Sequence, residues 1–171
     1  MSISMHSASV PLFVRMLGNL QKWLDKAEAH ASAKKFDAGV LLTARLAPDM
    51  LPLTSQIQIA CDGPKLAIAR LAGVDAPKFE DNETTFDQLR ERIRKTIDYV
   101  QSVPPAQVDG TEDKDIAIPR RDGTLTMKGE PYLREYVLPN FFFHVTTAYA
   151  LLRHNGVDLG KKDYLGLVKP T

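Results

Sequence analysis

The stretch Leu138-Pro-Asn-Phe-Phe-Phe-His-Val-Thr-Thr-Ala-Tyr-Ala-Leu-Leu-Arg-His-Asn-Gly156 carries the deciding pattern of this chain. Tyr136, Asn140, His144 and Ala148 recur every four residues, which puts them on one face of a helix. The spacing predicts that helix over Tyr132 to His154, closed by Asn155-Gly156, a pair suited to a left-handed cap. Apolar residues flank Asn140 and His144. Both must find hydrogen-bond partners, because an unsatisfied buried polar group costs ~1–3 kcal/mol. Pro139 also frees a carbonyl in the turn before it. The rings of Phe141, Phe142 and Phe143 point in three directions around the helix. At least one therefore faces away from the centre of the molecule, under a neighbouring element or toward a second copy of the chain.

Three more amphipathic segments precede this helix. Ser9 reads as an N-cap with Pro11 in the first turn, where a missing N–H does no harm. Leu12, Phe13, Met16, Leu17, Leu20, Trp23, Leu24 and Ala27 then follow helical spacing, predicting a first helix over about residues 9–32. A short turn covers Gly39 to Ala44. A second helix is expected from Pro48 to Leu71, with Pro52 in its first turn. Gly63-Pro64 kinks or breaks it, and Gly73 caps it. A third helix starts at Thr84 or Thr85 with the stripe Phe86, Leu89, Ile93, Ile97 and Val100. Arg90, Glu91, Arg92, Arg94, Lys95 and Asp98 fall on the solvated side, and Pro104-Pro105 stops the helix.

The segment Asp115 to Met127 alternates around Asp122-Gly123, a β-hairpin signal. Two strands alone are marginal in water, so the hairpin must lie on the helices. Val157 to Thr171 reads as coil. The expected fold is all-α, a four-helix bundle with a small β-hairpin between helices three and four, as one domain over residues 1–171.

Composition narrows the function. The chain has 171 residues, and its charge is 22 − 21 = +1. That balance lacks the basic field a general nucleic-acid binder needs, so no nucleic-acid partner is expected. The only cysteine, Cys61, excludes an internal disulfide and any cysteine-rich zinc site. On an apolar face it reads as inert core. No signal peptide and no membrane span of ~20 apolar residues is evident, and a cytoplasmic location is expected. Phosphate-loop, dinucleotide, nucleophile-elbow and H-E-x-x-H patterns are absent.

The candidate site lies between helices two and four. Arg45 and Asp49 straddle the start of helix two, and Gln56 follows on it. If the two helices face each other, Asp49, Gln56, Asn140 and His144 meet in one polar cluster. The cluster has three readings: an internal network that fixes helix register, a ligand or catalytic pocket, or a solvent-exposed group. Asp49 serves equally as a helix cap or as a partner of Arg45. His154 lies ten residues past His144, about 15 Å along a helix, so the two cannot share a metal.

Further segments carry a resemblance. They are Ser9-Val-Pro-Leu-Phe-Val-Arg-Met-Leu17, Arg45-Leu-Ala-Pro-Asp-Met50, Gln58-Ile-Ala-Cys-Asp62, Asn140-Phe-Phe-Phe-His-Val-Thr-Thr-Ala-Tyr149, Arg153-His-Asn-Gly-Val157 and Gly160-Lys161. Over nearly the whole chain these resemble the uncharacterised bacterial family called domain of unknown function nineteen ninety-three. That family is similar to the DinB and YfiT-like proteins. The resemblance implies an up-down-down-up four-helix bundle, often a homodimer. Many DinB-like proteins hold nickel or zinc with one histidine from helix two and an H-x-x-x-H pair from helix four, and some use the site with a thiol cofactor. Here His144 alone matches that pattern. The position four later is Ala148, and helix two has no histidine. The expectation is a small-molecule-binding or interaction protein with a degenerate metal site, and no particular cofactor is assigned. The alternative is a divergent metal-dependent or His-based transferase or hydrolase.

Overall fold

The computed structural model describes residues 3–166. In chain order the elements are α1 (Met5–Lys34), a single turn α2 (Gly39–Leu42), α3 (Leu53–Ala72), α4 (Phe86–Ser102) and a turn α5 (Pro105–Val108). Strands β1 (Asp115–Arg120) and β2 (Gly123–Lys128) follow, then a turn α6 (Gly129–Pro131), a π-helical segment (Tyr132–Val137), α7 (Leu138–His154) and a short α8 (Lys161–Leu165). The molecule is mostly helical, with one small antiparallel sheet.

Helix α1 starts earlier than its Ser9-Pro11 pair predicts. Ser4 caps it through a reciprocal box: the Ser7 amide donates to Ser4 Oγ at 3.2 Å and the Ser4 amide to Ser7 Oγ at 2.8 Å. That box satisfies two end donors at once, so Ser9 falls inside the helix, where its buried hydroxyl donates to the Met5 carbonyl at 2.6 Å. Helix α3 starts later than expected, because extended Pro52 (φ −70°, ψ 167°) stands at its N-cap and residues 45–52 form no helix. It then runs without interruption through Gly63-Pro64. Gly73, at φ +74°, ends it as a left-handed cap whose N–H reaches the carbonyls of Ala69 and Arg70. Thr85 and Gln88 form the capping box of α4, as the Thr84-Thr85 start predicts.

The hairpin pairs Arg120 with Gly123 across a two-residue turn, Arg121-Asp122. Ile116 and Ile118 are buried, so β1 lies face-down on the helices. The chain leaves the hairpin through Gly129, where a Cβ would sit 1.9 Å from the Thr111 carbonyl oxygen; only glycine fits this approach.

The fourth long helix departs from regular geometry over Tyr132–Val137, where it widens to π form. Pro139 lacks the N–H that would reach the Glu135 carbonyl, and its ring crowds that carbonyl. A wider turn relieves the crowding. The segment after Gly160 is not all coil: α8 docks on α1, where Trp23 Nε1 donates to the Asp163 carbonyl at 3.2 Å and Asn19 Nδ2 to the Tyr164 carbonyl at 3.0 Å. The rest of that tail, residues 167–171, lies outside the described residues.

One apolar core joins all four long helices, with Phe13, Leu17 and Trp23 from α1, Ile57 and Ile68 from α3, Leu89 and Ile93 from α4, and Phe141 and Val145 from α7. No helix among the described residues is long and apolar enough to cross a membrane.

Arg92 corrects the expectation of a solvated charged face. It is buried against α3 and the loop before α4. Its Nη2 lies 3.0 Å from Asp62 and 2.9 Å from Asp81, and its Nη1 lies 2.9 Å from Glu83. Burial alone would raise the Glu83 carboxyl. Hydrogen bonds from Gln58 and Arg92 outweigh that effect and hold it below its ordinary value. Arg92→Met leaves these carboxylates without their shared cation. The expected loss is about 3 kcal/mol in urea unfolding, mostly through Asp62 and Glu83, because Asp81 is largely solvated. A lowered Glu83 pKa contributes stability above the ordinary carboxylate range and loses it as pH falls through the lowered value. The wild-type midpoint should therefore drop more steeply with acid than that of Arg92→Met.

Candidate functional site

Helices α3 and α7 meet along their i, i+4 faces. His144 Nδ1 lies 2.8 Å from Gln56 Oε1, and Gln56 Nε2 donates to the Leu51 carbonyl at 3.1 Å. With the amide oxygen turned to the ring, Nδ1 carries the proton and donates, and Nε2 keeps its lone pair. Burial lowers the His144 pKa, so the ring is neutral at neutral pH.

The expected polar cluster is only partly assembled. Gln56 and His144 are together. Arg45 and Asp49 are exposed in the loop before α3, where Arg45 Nη1 donates to the Met50 carbonyl. They miss the cluster because the helix begins at Leu53, not Pro48, which takes Asp49 off its face and leaves Arg45 further from it. Asp49 therefore does not orient His144. Asn140 is exposed one turn before His144 and lines a separate groove.

That groove has a volume of about 240 Å³ and lies between α3 and the π-helical segment, under the hairpin. Helix α3 supplies Asp62, Leu66 and Arg70, spaced four apart, and the facing helix supplies Tyr132, Tyr136 and Asn140 at the same spacing. Ile118 and Pro119 of β1 close one side. Gly63 also lines it, and a Cβ there would meet nothing within 4 Å, so the missing side chain leaves room.

The polar groups of the groove are defined. Arg70 Nη1 donates to Tyr132 Oη at 3.1 Å. Burial raises the Tyr132 pKa, which the Arg70 contact lowers only in part, so the phenol keeps its proton. The Tyr132 and Tyr136 rings stack with centroids 5.9 Å apart, and the Arg120 guanidinium lies 5.8 Å above the Tyr136 ring. Asp62 Oδ1 is 2.7 Å from Lys65 Nζ and 3.0 Å from Arg92 Nη2. Burial pushes the nearby Cys61 thiol up to about 12, so it is no nucleophile. Arg70 and Tyr132 extend the faces of Asp62 and Tyr136 by one turn each. That spacing is the sequence signal for them, but the pairing of the two faces is needed to read it.

The family model described as Domain of unknown function (DUF1993) matches residues 5–165. The chain belongs to the DUF1993 family. It is also similar to the crystal structure of a DinB family member protein from Shewanella denitrificans, at 44% identity over 97% of this chain and 94% of that one, with a TM-score of 0.92. No curated protein matches it.

A three-histidine metal set does not fit the residues of this DUF1993 chain. Gln56 occupies Nδ1 of His144, the position one turn on is Ala148, and α3 carries no histidine. One imidazole and a neutral amide hold a divalent ion poorly. No group of three His, Cys, Asp or Glu side chains among the described residues is arranged to hold a metal.

His144→Ala strands Gln56 Oε1 and opens a void. We expect a loss of roughly 2–4 kcal/mol in chemical denaturation. The lowered folded pKa of His144 means that the unfolded chain takes up the proton first. Stability is then full above the ordinary value of 6.5 and falls as pH drops from there toward the folded pKa. Thermal midpoints measured between neutral and mildly acidic pH should fall less in His144→Gln than in the wild type.

Proposed function

We propose that this protein is a small-molecule-binding helical bundle whose ligand occupies the groove between α3 and the Tyr132–Asn140 face. The observation that carries the reading is the groove itself: a concave site of about 240 Å³ with apolar walls and a few convergent polar groups. Its volume suits a ligand of about ten heavy atoms, below the ~300–1,000 Å³ of drug-sized sites. The π-helical stretch along one wall supports it, since such segments concentrate at functional sites.

The reading takes residues 1–171 as one cytoplasmic domain with up-down-down-up topology. Side-chain pairs support that order. Phe13 on Phe141 and Trp23 on Tyr149 run α1 parallel to α7, and Gln56 with His144 and Arg70 with Tyr132 run α3 antiparallel to it. Binding is preferred over acid–base catalysis because His144 is tied to an amide and Asp49 lies away from it.

The groove is tested by Gly63→Leu, which adds a side chain where a Cβ has open space. In a fragment screen followed by amide NMR, saturable shifts at Tyr136 and Asn140 are expected in the wild type and not in Gly63→Leu. The variant should fold at least as well, because glycine inside a helix costs ~0.5–1 kcal/mol. Shifts that persist in the variant, or an empty screen, overturn the reading.

A homodimer is the accompanying proposal. Its support is an exposed apolar patch of Leu46, Met50, Phe142 and Phe143, with Phe143 57% exposed. Sedimentation should give a dimer for the wild type and a monomer for Phe143→Asp with unchanged helix content. A wild-type monomer at high concentration refutes it.

A further inference from the structure

We infer that the groove takes a small monocarboxylic acid, its carboxylate held by Arg70 and Tyr132 and its apolar body laid along Leu66, Tyr136 and Ile118. The inference rests on the groove being a ligand site and goes on to name the chemistry of the ligand.

The unusual group is Arg70. Two other guanidiniums on α4 are wholly or partly buried, and each gathers three carboxylates: Arg90 takes Asp25, Glu28 and Asp87, and Arg92 takes Asp62, Asp81 and Glu83. Half-buried Arg70 pairs with no acidic side chain among the described residues. Its one side-chain partner is the neutral Tyr132 hydroxyl at 3.1 Å. A guanidinium has five N–H donors in a planar fork that matches a carboxylate with two parallel bonds. Most of that capacity is unused here, in a site whose walls reduce its access to water.

Tyr132 completes the anion site. Its oxygen accepts from Arg70, so its own proton is left to donate, and burial keeps that proton on. A carboxylate lying across Arg70 and Tyr132 would receive both kinds of donor. Arg120, above the Tyr136 ring, adds a second positive charge at the hairpin side.

The other end of the groove sets selectivity. Asp62 precedes Arg70 by two i, i+4 steps on α3, about 12 Å along the axis at ~1.5 Å per residue. Lys65 and Arg92 engage its Oδ1, but Asp81 and Glu83 share Arg92, so the surrounding charge is not in excess of cations. A second anionic group on the ligand would face this carboxylate and be repelled, whereas an uncharged or hydrogen-donating tail would not. The site therefore favours a monoacid with an apolar or hydroxylated body over a diacid whose second carboxylate lies at the far end of the ligand.

The test is isothermal titration at neutral pH with benzoate, benzamide and benzylamine, three phenyl probes of similar size carrying negative, neutral and positive heads. Wild type, Arg70→Met, Tyr132→Phe and Gly63→Leu are compared, with circular dichroism and thermal melting to confirm that each is folded. Benzoate is expected to bind at least tenfold more tightly than benzamide, with benzylamine weakest. Arg70→Met should lose at least tenfold in benzoate affinity and level the three probes. Tyr132→Phe, which keeps the ring, should lose several-fold for benzoate alone and covers the case in which Arg70→Met fails to fold. Terephthalate, whose second carboxylate points away from the first toward the Asp62 end, should bind more weakly than benzoate. If benzamide or benzylamine binds as well as benzoate, and Gly63→Leu abolishes that binding, the carboxylate assignment is wrong while the groove stands. If no probe binds the wild type, or Gly63→Leu leaves benzoate affinity unchanged, both fall.

Discussion

The seam between α3 and the Tyr132–His154 helix is the constraint on which the rest of the structure depends. It is tied at one end by Gln56 and His144 and at the other by Arg70 and Tyr132. Between those ties the two helices present residues four apart to each other, so their register is set twice over. Where large side chains meet, the seam is core. Where Gly63 stands opposite the widened turns of the π-helical segment, it opens into a groove. The hairpin lies on that opening because Ile116 and Ile118 need cover, and Gly129 allows the chain to leave it closely packed.

Three arginines show how one side chain takes different roles according to its neighbours. Arg90 ties α4 to α1 at the partly solvated surface, where exposed ion pairs contribute little. Arg92 is buried and joins α3, the loop after it and α4 into one charged knot; losing it would leave Glu83 without a cation and Asp62 with Lys65 alone. Arg70 has a phenol for a partner and capacity to spare. The contrast between the last two separates a structural cation from one disposed toward a ligand.

Similarity to a DinB family member is high, and fold similarity alone does not carry an activity. On α7 His144 is followed one turn later by Ala148, and Gln56 meets the imidazole from α3 with its amide oxygen. A neutral hydrogen-bonded pair of this kind fixes register and resists protonation. Polar chemistry then lies a turn or more away, toward Asn140, Tyr136 and Arg70.

Much of this was legible in the sequence because it depends on local chemistry. The four long helices, the hairpin around Asp122, the Gly73 and Gly156 caps, the Thr85 start and the face shared by Tyr136, Asn140 and His144 all follow from periodicity and capping residues. The start of α1 went to Ser4 because a two-sided cap with Ser7 outcompetes a single cap at Ser9. The start of α3 passed to Leu53, which put Arg45 and Asp49 outside the site. Tertiary structure alone decided that Arg92 is buried, that Gln56 is the partner of His144, that Pro139 widens the helix before it, and that Arg70 faces Tyr132 across an opening. Periodicity reports which residues share a face. Which faces meet, and whether a charge there finds a counter-charge, is set by packing between segments far apart in the chain, and no local pattern encodes that.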